Sequence, residues 1–197
     1  MCRAFAPEPI DPAVLRRIID AGRLAPAAGN TREGRAFVVL EGAETSRYWD
    51  VTLPAARRGS FGFPLLFAAP VIVLLCVRPD AYAARYSEPD KGGLAATLGR
   101  GAAAWPQPFW WFDGGTAAQA VLVAAADEGL GGLVFSPGDD EVAVLDALGV
   151  PTGWRVACTL ALGHPAPGEQ RAGRSSARRR RGSFDEVVHR GGWHRPT

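Results

Sequence analysis

Asp113-Gly114-Gly115-Thr116-Ala117-Ala118-Gln119-Ala120-Val121-Leu122-Val123-Ala124-Ala125-Ala126-Asp127-Glu128-Gly129-Leu130 reads as one long helix. Ala117, Ala118, Val121, Leu122, Ala124 and Ala125 leave it little polar surface before Asp127 and Glu128. A helix that is apolar on most sides belongs in a core or at a subunit interface. Its small side chains permit close approach by another helix. Asp113, at the start, is expected to cap the first turn rather than to transfer protons.

The flanking segments alternate between short strands and helices. Downstream, Leu133-Val134-Phe135 reads as a strand, Glu141 to Leu148 as a helix and Arg155 to Leu162 as a strand. Upstream, Val71-Ile72-Val73-Leu74-Leu75-Cys76-Val77 is rich in β-branched residues and bounded by Pro70 and Pro79, which predicts a central strand buried on both faces. Phe37-Val38-Val39-Leu40 predicts another buried strand. Asp11, followed by Pro12, opens a helix whose apolar positions are Val14, Leu15, Ile18 and Ile19, and which stops before Pro26. Weaker helices are expected over Glu44–Val51 and Asp80–Tyr86. Ser87 to Pro108 is rich in Gly and Pro and reads as an excursion or lid, the least ordered internal segment. No internal repeat or linker appears. This order predicts a single domain over 1–197, of α/β or α+β class.

Composition narrows the function. Of 197 residues, 47% are hydrophobic and 21% charged, which argues against global disorder. The longest apolar run, Pro64 to Val77, is too short to span a bilayer, and the N-terminus has no secretory pattern. Cys2, Cys76 and Cys158 are scattered and form neither a disulfide framework nor a zinc knuckle, so a reducing, cytoplasmic setting is expected. His164, His189 and His194 lack metal-ligand spacing. The net charge is +2, but Pro165–Thr197 holds eight arginines against three acids, so this tail is a candidate anion-binding element. Dinucleotide-binding, P-loop and nucleophile-elbow signatures are missing. Any enzymatic chemistry is therefore expected to come from a bound cofactor.

In several places, in order along the chain, the sequence resembles the nitroreductase family. The matching pieces begin with Arg3-Ala4-Phe5 and Ala25-Pro26-Ala27-Ala28-Gly29-Asn30-Thr31. They continue through Asp113-Gly114-Gly115 with Ala117, Ala118 and Gln119, then Glu128-Gly129-Leu130-Gly131-Gly132 and Ala161-Leu162-Gly163-His164-Pro165. They end at Arg180-Arg181, Asp185-Glu186-Val187-Val188-His189-Arg190 and Trp193. Tyr86, Asp90-Lys91, Trp105 and Trp110 resemble a subgroup common in high-GC bacteria. The resemblance implies an α+β fold with a mixed sheet flanked by helices. It also implies an intertwined homodimer with FMN at the interface, 87–108 as a lid and 164–197 as a tail that wraps the partner.

The resemblance also supplies cofactor-binding candidates, each with a plainer alternative. Arg3 matches a basic residue near the flavin pyrimidine edge, where a cation stabilises reduced flavin; otherwise it is a surface arginine. Asn30 matches a residue on the ring edge; otherwise it is a turn residue suited to left-handed geometry. Arg32 stands where the family usually has Gln, and Ala27 where it often has Ser. Ser136, before Pro137, matches the segment that offers backbone N–H groups to the flavin; otherwise it joins a strand to a helix. Proline has no N–H to offer. Within Arg178-Arg179-Arg180-Arg181, Arg180 and Arg181 are the candidates for the FMN phosphate; otherwise the run is a solvated basic face. Met1 falls at the third residue of the family's opening phosphate motif, which is expected to reflect a late start or an incomplete phosphate site. Trp105, Trp110 and Trp111 are candidates for a substrate pocket; otherwise they pack in the core.

The activity implied is hydride transfer from NAD(P)H, through FMN, to an electron-poor small molecule such as a nitroaromatic, quinone or activated alkene. No catalytic side chain is required. One alternative is a flavin-poor binding or regulatory protein with the same fold and no redox turnover. A second is a nucleic-acid binder acting through the basic tail, although the run lacks aromatic interleaving.

Overall fold

The computed structural model describes residues 1–168 and 179–193. The first helix, α1 (Pro12–Arg23), starts as its sequence requires. Asp11 accepts from the backbone N–H groups of Ala13 and Val14 at 2.7 and 3.2 Å, and Pro12 occupies the first turn. Four strands follow in the chain, β1 (Arg35–Glu41), β2 (Val71–Val77), β3 (Gly131–Phe135) and β4 (Arg155–Gly163), and their order in the sheet is β1-β2-β4-β3. Each pairing is antiparallel, so among the described residues the sheet is antiparallel and not mixed. The sequence shows each strand but not its direction, because partners such as Leu74 and Thr159 are far apart in the chain.

β2 is buried along its whole length, as its sequence predicts. Its side chains alternate between two cores. Val71, Val73 and Leu75 pack with Leu15, Ile18, Ala117 and Val121 on one face. Ile72, Leu74 and Cys76 pack with Tyr48, Trp49, Leu133 and Val144 on the other. The first core is covered by α1 and by α5 (Phe109–Asp127). The second is covered by α2 (Ser46–Thr52) and α6 (Glu141–Ala147). The domain is therefore three layers of helix, sheet and helix. The remaining described helices are α3 (Ala55–Arg58), α4 (Pro79–Tyr86) and α7 (Phe184–Val187).

α5 begins four residues earlier than its sequence suggests. Pro108 precedes it, and Trp110 is buried against Tyr82 and Trp105 one turn before Asp113. Asp113 is thus inside the helix and is not its N-cap. Small residues do bring α1 and α5 together. A Cβ on Gly22 would lie 2.6 Å from Val121 Cγ2 and 3.1 Å from the Ala117 carbonyl oxygen.

The 87–108 segment is a series of 3-10 turns, at Pro89–Ala96, Leu98–Arg100 and Ala102–Ala104. Arg85 grips Asp90 with two hydrogen bonds of 2.6 and 2.7 Å, and the Ser87 hydroxyl donates to the Gly99 carbonyl at 3.0 Å. Of the expected tail, Arg178 and His194 lie outside the described residues. No helix among the described residues is long and apolar enough to cross a membrane. Among the described residues the cysteines form no disulfide, and burial pushes the Cys76 thiol up to about 12 and the Cys158 thiol to about 11. A metal-binding group of His, Cys, Asp and Glu is absent among the described residues.

Candidate functional site

The segment between α1 and β1 carries two of the predicted residues. Ala28–Asn30 forms a 3-10 turn in which Gly29 and Asn30 both have left-handed backbones, with φ of 64° and 58°. Among the described residues Asn30 alone takes a positive φ without being glycine. Asn tolerates that region better than most residues, which is why the turn ends on it. Asn30 and Arg32 are both exposed.

Long-range hydrogen bonds hold this turn. The Ala28 N–H donates to Asp113 Oδ2 at 2.8 Å, and the Tyr82 hydroxyl donates to the same oxygen at 2.8 Å. Asp113 is 2% exposed. Arg35, at the start of β1, donates to the carbonyls of Ala25, Pro26 and Asp113 at 2.6, 3.1 and 3.2 Å. Lys91, in the 3-10 excursion, donates to the Gly29 carbonyl at 3.2 Å. Its ammonium also sits 5.2 Å from the centre of the Tyr86 ring. That ring lies against Gly29, where any Cβ would come within 2.5 Å of it. Burial, and then the bond to Asp113, hold the Tyr82 phenol above its ordinary range, so it stays a proton donor.

Trp105 and Trp110, each 8% exposed, sit behind this turn in one cluster with Tyr82, Tyr86 and Ala28. The Trp105 indole N–H donates to the Leu98 carbonyl at 3.0 Å. Their burial matches the core-packing alternative. Trp111 is 37% exposed, with the Arg155 guanidinium 5.6 Å from its ring centre.

Ser136 is exposed at the end of β3, and its hydroxyl accepts from the Gly138 N–H at 3.1 Å. Phe135, just before it, is stacked on Trp49 at 5.7 Å and 3°. The Trp49 indole nitrogen is buried without a hydrogen-bond partner among the described residues. β1 and β3 are opposite edges of the sheet. Three interstrand spacings therefore separate the Asn30 side from the Ser136 side, roughly 14 Å. Arg3 lies toward the other end of β3, where Cys2 N–H donates to the Gly132 carbonyl, and its guanidinium is 5.4 Å from the Phe63 ring centre. Arg180 is ion-paired with Glu186 at 2.6 Å, whereas Arg181 is exposed and makes no ion pair among the described residues.

The chain thus brings Asn30 and Arg32 together, and it sets Ser136, Arg3 and the tail arginines apart from them. A cavity of about 280 Å³ near Ile10, Thr45 and Phe67 contains none of the predicted residues. Sequence reading missed Tyr82, Arg35 and Lys91. Two signals were present, a carboxylate set ahead of the apolar stretch of the long helix and the only lysine of the chain.

A model of the nitroreductase family matches residues 1–164. Solved structures with the same fold include a nitroreductase family protein from Streptococcus pneumoniae, at 20% identity and a TM-score of 0.69, covering 95% of this chain and 94% of that one. An NADPH:FMN oxidoreductase from Vibrio harveyi, complexed with NAD+, matches at 20% identity and 0.65, covering 100% and 75%. An FMN-dependent nitroreductase from Clostridium difficile matches at 17% and 0.63, covering 98% and 94%.

Proposed function

The chain belongs to the nitroreductase family, and from that premise we propose that it is an FMN-dependent oxidoreductase acting as a homodimer in the cytoplasm. One observation carries this reading. The family match runs over 1–164 and so contains every segment that bears Arg3, Asn30, Arg32 and Ser136. The chemistry of these donors fits FMN, a planar ring with polar edges and a phosphate. Exposed Asn30 and Ser136 suit ring edges, while Arg32 and Arg181 are exposed guanidiniums suited to an anion.

The chemistry such a group supplies when bound is two-electron transfer from NAD(P)H to an electron-poor acceptor, for which nitroaromatics, quinones and activated alkenes are the candidates. The chain's own part is to bind and orient. Asn30, set in its turn, offers an amide to a ring edge. Arg3 places positive charge where reduced flavin gains negative charge. Arg181 holds the phosphate, and Arg180 joins it only by leaving Glu186. Trp111 supplies a flat apolar wall, and the 87–108 excursion borders the site beside Asn30.

The opposite-edge placement of Asn30 and Ser136 supports two copies per site, each lending one edge of its sheet. Exposed Phe112 and Val123 on α5, at 66% and 57%, supply apolar surface for that contact. Phe184, Val187 and Trp193 in the tail are also exposed, which suits a segment that packs on the partner.

The test is the absorption spectrum of the purified protein, followed by FMN titration and NADH or NADPH oxidation with a quinone acceptor. A yellow protein that releases FMN on heating supports the proposal. A colourless protein that refuses added FMN would overturn it in favour of a binding protein with this fold.

A further inference from the structure

We propose that Asp113 and Lys91 are positioning residues that set the left-handed turn presenting Asn30 before any ligand arrives. The proposal rests on the reading above that Asn30 faces a bound FMN.

Two consecutive left-handed residues, the second with a side chain, persist only where the surroundings over-determine them. Here both sides of the turn are pinned. Its entering amide, Ala28 N–H, is held by the Asp113 carboxylate at 2.8 Å, and the carbonyl of Gly29 is held by the Lys91 ammonium at 3.2 Å. The Thr31 hydroxyl closes the far side by donating to the Ala28 carbonyl at 2.7 Å. Asp113 is the one charged residue among the buried positions of α5, the others being Trp110, Gly114, Ala117, Ala118, Val121 and Ala125, so packing alone does not call for a carboxylate there. What it contributes is an acceptor, shared by an amide 85 residues away and by the Tyr82 hydroxyl. Lys91 comes from a different element, the excursion, and its side chain crosses Tyr86 to reach the turn. The core helix and the excursion therefore grip the same turn.

The test uses the full-length protein and two measurements. One is hydrogen–deuterium exchange at the amides of residues 28–31 without flavin, and the other is FMN affinity by fluorescence quenching. Lys91→Met, on the excursion and outside the core, is expected to speed exchange and weaken FMN binding about three- to tenfold, the range of one hydrogen bond. Asp113→Ala is expected to do so roughly tenfold or more. Asp113→Asn, which keeps an acceptor oxygen for Ala28, should restore most of both. Wild-type exchange in Lys91→Met and Asp113→Ala, together with full FMN affinity in both, would overturn the proposal. So would a loosened turn that binds FMN as tightly as before. Should Asp113→Ala fail to fold, Lys91→Met decides alone: faster exchange with weaker FMN supports the proposal and unchanged values overturn it. If the wild type takes up no FMN, the oxidoreductase reading fails, and exchange at 28–31 by itself upholds or rejects the brace.

Discussion

The Tyr82 hydroxyl donates to Asp113 Oδ2 at 2.8 Å, joining α4 to the second turn of α5 at a point where both residues are buried. The bond has a consequence at high pH. An unfolded tyrosine ionises near its ordinary value of 10.0, whereas folded Tyr82 is held above it by burial and then by Asp113. The folded state therefore keeps a proton that the unfolded chain gives up. Its stability is intact below pH 10 and falls as pH rises further. Tyr82→Phe should cost about 1–2 kcal/mol at neutral pH and should flatten the alkaline decline of Tm. Some decline will remain, because Tyr48 is also raised, to about 12, chiefly by burial. An alkaline slope identical to that of the wild type would contradict this account.

Contact between α1 and α5 depends on Gly22. Ala at this position suits a helix but drives its Cβ to 2.6 Å from Val121 Cγ2. The expected net loss for Gly22→Ala is about 1–3 kcal/mol by urea unfolding, the cost of overpacking a filled core. Val121→Ala in the same chain should recover part of it, because the two side chains compete for one space. A Gly22→Ala variant as stable as the wild type would show that the helices separate freely.

The two tail arginines should differ. Arg180 is committed to Glu186 at 2.6 Å, and Arg181 has no such tie among the described residues. Arg181→Ala is expected to weaken FMN binding about tenfold, the worth of one charge-assisted pair, with a much smaller effect from Arg180→Ala. Titration of both variants checks this, and equal effects would place the phosphate on the pair jointly.

The exposed ridge of α5 provides a separate check on assembly. Phe112→Glu combined with Val123→Glu puts two charges on the apolar surface assigned to the second copy. Light scattering should show a shift from dimer to monomer, accompanied by loss of FMN. A variant that stays dimeric and holds FMN would move the interface elsewhere.

Local patterns were legible in the sequence. The Asp11 cap, the central β2 and the apolar character of α5 follow from period and capping, which act within a few residues. The family was legible too, because its motifs recur in order along the chain. Other assignments depended on segments far apart in sequence. Asp113 read as a helix cap because nothing nearby showed that Ala28 and Tyr82 would converge on it. Trp105 and Trp110 are open between pocket and core in the sequence, and their burial beside Tyr82 and Tyr86 is a contact between segments far apart in the chain. The resemblance implies a mixed sheet, whereas the antiparallel pairing of the described strands emerges only when distant residues meet. Secondary structure is written in short-range steric and hydrogen-bonding preferences. Which carboxylate meets which amide is settled only when antiparallel strands and packed helices bring remote residues within 3 Å.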